Sequence, residues 1–266
     1  MPGKGARIGD GTVRRRLLMR PPVDTIVAPP FPKDLAWVNV APLRMEKQAT
    51  RPVLIEFWDF CRPSSLRTLP YVKAWHERYA GAGLRVISVH APGYPLGHDE
   101  DAVRDAVERL EIAHPVAIDA DFELWRAYEN PGWPARYLFA PRMKLVDVHH
   151  GEGDYHGCER AIRELLGLGD PDDLVPLMHP ADDDDAPIVV PTADREGAYS
   201  GAYGAGQVWV VSGGGELRVN GESRTIDGPG AHLIVEHERH TEAELLLEPG
   251  EGLDVLATCF TPGLAP

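Results

Sequence analysis

The chain has 266 residues, 43% of them hydrophobic and 26% charged, and a formal net charge of −14; that length and apolar content suit two hydrophobic cores better than one. The acidity is uneven, since residues 1–167 hold 23 Lys/Arg against 22 Asp/Glu whereas residues 168–266 hold 4 against 19. Such a surface repels phosphate backbones, no compact basic cluster with interleaved aromatics offsets it, and no apolar run approaches the ~20 residues of a membrane span, so the composition argues against nucleic-acid and membrane partners.

Residues 1–34 are rich in Pro, Gly and Arg and lack a sustained period, which marks an N-terminal extension; Arg14, Arg15, Arg16 and Arg20 read as a solvated tail. The first twenty residues lack the apolar core of a signal peptide, and a cytoplasmic location is expected. Regular patterning then begins. Trp37–Val40 and Pro52–Phe57 read as strands, the second being the continuous apolar run of a strand buried on both faces. Ser64–Tyr79 reads as a helix with Leu66, Leu69, Val72, Trp75 and Tyr79 on its apolar side and Pro70 as a kink. Leu84–Val89 is a further buried strand. Val103, Ala106, Val107 and Leu110 follow at helical spacing. Pro115–Ile118 is a short strand, Phe122–Tyr128 a short helix, Arg136–Phe139 and Lys144–His149 a hairpin, and Tyr155–Leu166 a closing helix. This order predicts a mixed central sheet flanked by helices, an α/β domain over residues 35–167.

Residues 168–196 change character, with DPDD, several prolines and the tetrad Asp182–Asp185, and read as an acidic, Pro-rich linker. The segment GAYSGAYGAG extends that loop character, and the Gly-rich GAYGAG and SGGGE look like turns. From residue 197 to 266 the segments QVWVVS, ELRVN, AHLIVE, AELLLE and LDVLATCF alternate, separated by GGG, NGES, DGPG and EPGEG. They predict a smaller all-β antiparallel sandwich.

Chemistry concentrates in EFWDFCRPSSLRTLPYV, where an apolar strand runs into a turn and then a helix holding Leu-Pro. That stretch resembles the active-site segment of the DipZ/TlpA-type thioredoxin-like (redoxin) proteins, in which a strand ending in Phe-Trp leads to a Cys-x-x-Cys turn. The resemblance continues in order through LRVISVHAPGY, PVAIDADFELWRAY, GWPARYLF and GEGDY, covering about residues 36–167. It implies a thioredoxin-like fold and descent from thiol-disulfide oxidoreductases. Counting forward from Trp58 or back from Pro70 puts the family's two cysteine positions at Arg62 and Ser65. The quartet Arg62-Pro63-Ser64-Ser65 is therefore a degenerate redox motif with no sulfur at either end, and dithiol exchange is not expected.

Cys61 lies one residue before the nucleophile position. It reads either as a reactive single thiol beside a cation or as a small hydrophobe in the core; a one-residue shift at a helix start turns a side chain by about 100°. Trp133-Pro134 matches the family's cis-proline, which implies a groove able to hold an extended peptide. Pro63 and Ser64 also suit a first helical turn without any chemical role, and a serine nucleophile lacks a neighbouring base.

Other clusters carry weaker signals. HHGEGDYHGCE gathers His149, His150, Glu152, His156, Cys158 and Glu159, but not at a recurrent metal-binding spacing, and Cys158 shares an apolar helical stripe with Ala161, Ile162 and Leu165. No metal and no cofactor are expected. His232, His237 and His240 read as exposed, and Asp182–Asp185 as solvated rather than as a calcium loop. Cys61, Cys158 and Cys259 lie about a hundred residues apart, which suits reduced thiols. The resemblance also suggests a carbohydrate-binding-module-like role for the sandwich, in which Tyr199, Tyr203 and Trp209 would stack on sugars if exposed. Three functions follow: a non-redox protein that binds a protein or peptide partner at the groove near Arg62 and Pro134; a monothiol oxidoreductase or peroxidase using Cys61; and a carbohydrate binder.

Overall fold

The computed structural model describes residues 26–169 and 173–266, so the tail arginines Arg14, Arg15, Arg16 and Arg20 lie outside the described residues. The first region is a six-stranded mixed sheet built from β1 (Ala36–Val38), β2 (Val53–Trp58), β3 (Arg85–His90), β4 (Val116–Ile118), β5 (Ala135–Ala140) and β6 (Lys144–His150), in the order β1-β4-β3-β2-β5-β6. β2, β3 and β4 run parallel, and β1, β5 and β6 pair antiparallel. Every residue of β2 is buried, Glu56 included, as its near-continuous apolar run requires of a strand covered on both faces. Helices α1 (Pro63–Tyr79), α2 (Glu100–Arg109), α3 (Glu123–Ala127) and α4 (Tyr155–Leu166) cover the sheet. One core packs Val53, Ile55 and Phe57 against Tyr137 and Phe139, and another packs Leu54, Tyr71, Trp75 and Tyr79 against Cys158 and Ile162. The α/β expectation holds element by element, with boundaries moved by a residue or two.

The segment read as a solvated linker is partly built into the protein. Val175 and Asp182 are buried, and Asp184 accepts a hydrogen bond from the Asp154 backbone N–H at the start of α4 (2.9 Å). Asp182 is buried because Arg67 and Tyr71 converge on its carboxylate oxygens, as described below. Two short strands follow, β7 (Ile188–Val189) and β8 (Arg195–Glu196).

The β region differs from the sequence reading in two ways. GAYGAG is not a turn: it is the first half of β9 (Gly201–Ser212). The glycines there serve close approach of chains, because a β-carbon at Gly206 would run into the Pro262 carbonyl oxygen and the Gly263 backbone. AHLIVE and the first half of AELLLE likewise belong to one strand, β12 (Gly230–Leu245), which absorbs HERHT through shifts of register against β9 between Leu233 and Val235 and between Glu236 and Thr241, while the end of AELLLE enters the next strand. The remaining strands are β10 (Gly215–Val219), β11 (Glu222–Ile226), β13 (Leu247–Pro249), β14 (Val255–Thr261) and β15 (Gly263–Leu264). Sheets β12-β9-β14-β8 and β11-β10-β13 enclose a core of Val208, Val210, Leu217, Val219, Ile234, Leu245, Val255 and Phe260, while β7 and β15 form a separate pair.

Candidate functional site

The turn between β2 and α1 places Arg62 and Ser65 at the start of the helix, and neither carries sulfur. Arg62 is the residue that starts α1, with extended backbone (φ −115°, ψ 119°), and its carbonyl accepts the first helical bond from Leu66. Pro63 fills the first helical position, where no N–H is needed. Ser65, at the second cysteine position, is fully buried, and its Oγ accepts the Asp59 N–H (3.2 Å). The Trp133–Pro134 peptide is cis and faces this turn: Ser64 Oγ donates weakly to Trp133 O (3.5 Å). The structure thus brings Arg62, Pro63, Ser64, Ser65, Trp133 and Pro134 together.

Arg62 reaches over the turn between two aromatic rings. Its guanidinium lies 4.4 Å from the Trp133 ring and 5.3 Å from the Tyr94 ring, a cation held between two aromatic faces. Gly93 lies directly beneath, and any β-carbon there would meet Arg62 and the Asp59 carboxylate. What remains is a cavity of about 140 Å³ closed on its far side by Asp194 and by Cys259, Phe260, Thr261 and Pro262 of the β region.

Cys61 points into the core. It is 0% exposed and packs in one cluster with Trp58, Phe60, Leu69, Val103, Trp209, Val211 and Cys259. Burial, and then the Asp59 carboxylate, push its thiol well above the ordinary cysteine range despite Arg62. A side chain so placed packs as a small hydrophobe and presents no thiolate to solvent in this conformation. Cys259 is also buried, and burial raises its thiol to about 12. The three cysteines are unpaired.

That mixed cluster shows that the β region packs on the face that carries the turn at Phe60 and Cys61. The seam carries backbone bonds too. Ala231 N–H donates to Phe60 O (3.0 Å), and Arg109 donates to Asp227 O (2.8 Å) and Pro229 O (2.9 Å). Arg67, on the buried side of α1, ties four segments together. It donates to Glu152 (2.6 Å), Asp182 (2.7 Å) and Gln207 (2.9 Å), while Tyr71 donates to the other oxygen of Asp182 (2.6 Å). Gln207 Oε1 also accepts from Trp209 Nε1 (3.2 Å), and its Nε2 donates to Glu236 (2.7 Å). Sequence reading missed Arg67 because a lone arginine on a helix reads as surface, and it missed the partner of Asp182 for the same reason.

Beneath the turn the interior is polar. Asp59 accepts N–H bonds from Cys61 (2.9 Å) and Gly93 (2.8 Å) and lies 3.4 Å from the buried His90 ring, which stacks on Phe60. Glu56, in the middle of β2, accepts from Ser88 Oγ (2.7 Å), which also bonds His114 Nε2 (2.7 Å). Burial raises the Glu56 carboxyl to about 7, against the pull of Ser88 and Arg136. The same cause lowers His114 to about 3. A carboxylate inside the apolar run PVLIEF was the available sequence signal.

The remaining candidates separate. Cys158 is buried in the core, as its helical stripe predicts. His149 reaches the Glu152 carbonyl and His150 approaches Tyr137. His240 is buried, contrary to the expectation of an exposed histidine, since β15 packs across it. Trp209 and Tyr203 are buried and Tyr199 is partly buried, its hydroxyl donating to Ala202 O; the structure offers no exposed platform of these three rings.

No family model matches the chain. Protein DipZ of Mycobacterium tuberculosis is 30% identical over 191 residues, which cover 71% of this chain but 27% of that protein. Thiol-disulfide oxidoreductase YkuV of Bacillus subtilis is 25% identical over 138 residues, 52% of this chain and 93% of that protein. The chain carries a DipZ-related thioredoxin-like domain. It spans about a quarter of the length of DipZ. Among solved structures, one described as a putative thiol:disulfide interchange protein DsbE from Chlorobium tepidum aligns at 20% identity and a TM-score of 0.47, over 53% of this chain and 96% of that one. The DipZ-related domain is thus joined here to an added β-rich region, and its cysteines are not paired.

Proposed function

We propose that this DipZ-related protein works by binding rather than by electron transfer, and that the face which thiol-disulfide oxidoreductases keep for a polypeptide substrate is engaged here by the chain's own β region. The observation that carries this is Arg62, wedged between Trp133 and Tyr94 at the helix start, with Cys259–Pro262 closing the cavity above it. An arginine cannot form a thiolate, and the retained helix start and Pro134 then serve as a docking surface. Three unpaired cysteines suit a reducing compartment, in keeping with a cytoplasmic site of action.

Insulin reduction by dithiothreitol tests this reading. The protein is expected to leave the rate unchanged, and acceleration on the scale of an ordinary thioredoxin would overturn it. Thiol titration distinguishes the monothiol alternative. Native protein is expected to react slowly at all three cysteines and fully only when unfolded, whereas one fast-reacting thiol that vanishes in Cys61→Ser would favour a Cys61 oxidoreductase.

A further inference from the structure

A single hydroxyl inside the α/β region joins a carboxyl to an imidazole. Glu56 on β2, Ser88 on β3 and His114 in the loop before β4 are all 0% exposed. Glu56 and Ser88 are register partners in the parallel pairing of β2 with β3, so their side chains leave the sheet on the same face. Ser88 Oγ lies 2.7 Å from Glu56 Oε2 and 2.7 Å from His114 Nε2. Asn39 holds the histidine end by donating from Nδ2 to the carbonyls of Ile112 (2.6 Å) and His114 (3.0 Å). Beyond these contacts both ends stop: among the described residues, Glu56 Oε1 and His114 Nδ1 are buried without a hydrogen-bond partner.

A serine hydroxyl has one hydrogen to donate, and a neutral imidazole carries its proton on one nitrogen. Both contacts of Ser88 must therefore point the same way. When they point toward Glu56, the carboxyl is ionised and His114 donates from Nε2. When they point toward His114, the carboxyl is protonated on Oε2, its partnered oxygen, and His114 has a bare Nε2 and carries its hydrogen on Nδ1. The second arrangement holds one proton more. We propose that Glu56, Ser88 and His114 form a buried proton relay in which protonation of Glu56 sets the tautomer of His114. A proton that joins His114 at Nδ1 moves the Nε2 proton to Ser88 Oγ and the Ser88 proton to Glu56 Oε2. Bonds to hydrogen break at Nε2 and Oγ as they form at Nδ1, Oγ and Oε2, and the ring ends neutral.

The surroundings keep the extra proton on the carboxyl. Burial raises Glu56 to about 7, opposed by Ser88 and, from β5, by Arg136; burial, then His76 and Lys73 of α1, lower His114 to about 3. Arg136 in turn lies against the Tyr155 ring of α4 and opposite His149 on β6, and Lys73 Nζ donates to Leu110 O (2.7 Å). The half-buried His76 ring is centred 5.5 Å from that of His114. It stands roughly 20 Å along α1 from Arg62, so the relay ends far from the turn and survives any failure of the binding role proposed there.

The test is an NMR titration of the full chain, carrying nitrogen-15 histidine and carbon-13 glutamate, from about pH 5 to about pH 9, a range that brackets the Glu56 transition. The His114 and Glu56 signals are assigned by their loss in His114→Gln and Glu56→Gln. The Glu56 carboxyl carbon and both His114 ring nitrogens are expected to shift with one shared midpoint: Nδ1 carries hydrogen on the acid side and is bare on the alkaline side, and Nε2 does the reverse. In Glu56→Gln the His114 pattern is expected to stay fixed throughout. In Ser88→Ala the Glu56 carbon still titrates while His114 no longer changes tautomer, and Ser88→Thr, which keeps the hydroxyl, restores the exchange. The wild-type titration decides the matter even where a variant fails to fold. A His114 ring that keeps one tautomer through the Glu56 transition, a ring that becomes doubly protonated in this range, a Glu56 carbon that does not shift, or an exchange that persists in Ser88→Ala would each overturn the relay.

Discussion

The two regions bury polarity in opposite ways. The α/β region encloses whole charged side chains, Glu56, Asp59, Arg67, Asp119, Arg136 and Glu159, whereas no Asp, Glu, Lys or Arg among residues 197–266 is buried and the polar groups inside are Gln207, Ser212, His240, Thr258 and Thr261. A charge inside a protein is costly unless a partner or a function retains it. The α/β region therefore keeps a polar interior beneath a turn in which neither Arg62 nor Ser65 carries sulfur. The β region has an ordinary apolar interior and meets the charged one only at the seam.

The strongest way to break this contrast is at Arg67, where the two designs meet. Replacement by methionine leaves Asp182 and Glu152 without their cation and is expected to cost about 3–5 kcal/mol, read as a lowered urea midpoint. A loss under about 1 kcal/mol would show that the apolar seam holds the regions together unaided.

Glu56 sharpens the contrast through pH. Its carboxyl titrates near 7 in the folded protein against an ordinary 4.5, so the folded state binds its proton more tightly than the unfolded chain. The two states are equally protonated there below pH 4.5; stability then falls as pH rises toward 7, by about 3 kcal/mol in all. Glu56→Gln removes this loss, and the variant is expected to gain on the wild type between pH 5 and pH 8 in parallel urea titrations. An unchanged pH profile would mean that Glu56 stays ionised in the fold.

Smaller effects probe the β region. Gly206→Ala forces a methyl group against the Pro262 carbonyl and is expected to cost about 1–3 kcal/mol in thermal unfolding. A neutral result would mean that β9 and β15 separate readily. Glu222→Ala, exposed on the edge strand β11, is expected to shift stability by under about 0.5 kcal/mol.

Most of the α/β region was legible because its signals are local. A run apolar but for Glu56 announced β2, a helical stripe through Cys158 announced α4, and two counts put Arg62 and Ser65 at the positions where the resemblance expects cysteine. The β region hid its architecture in contacts remote in sequence. Glycines that read as turns are spaces for a neighbouring chain, and His237–His240 read as a break because a shift of register looks like one in a single strand. The candidate site was legible as a list and not as a state. Nothing in the order of residues says that Ala231 and Cys259, from a separate region, rest on the turn at Phe60, or that Asp182 in an acidic run meets Arg67.

The position of β14 in the chain has a consequence for synthesis. It lies between β9 and β8 in its sheet, and Cys259, near its end, helps close the cavity over Arg62. While the polypeptide leaves the ribosome the α/β region can complete its own sheet first, with Phe60 and Leu69 less covered until β9, β12 and β14 have followed. In that interval the nascent protein presents a less covered apolar face, and chaperones or a neighbouring nascent chain have their opportunity to bind it.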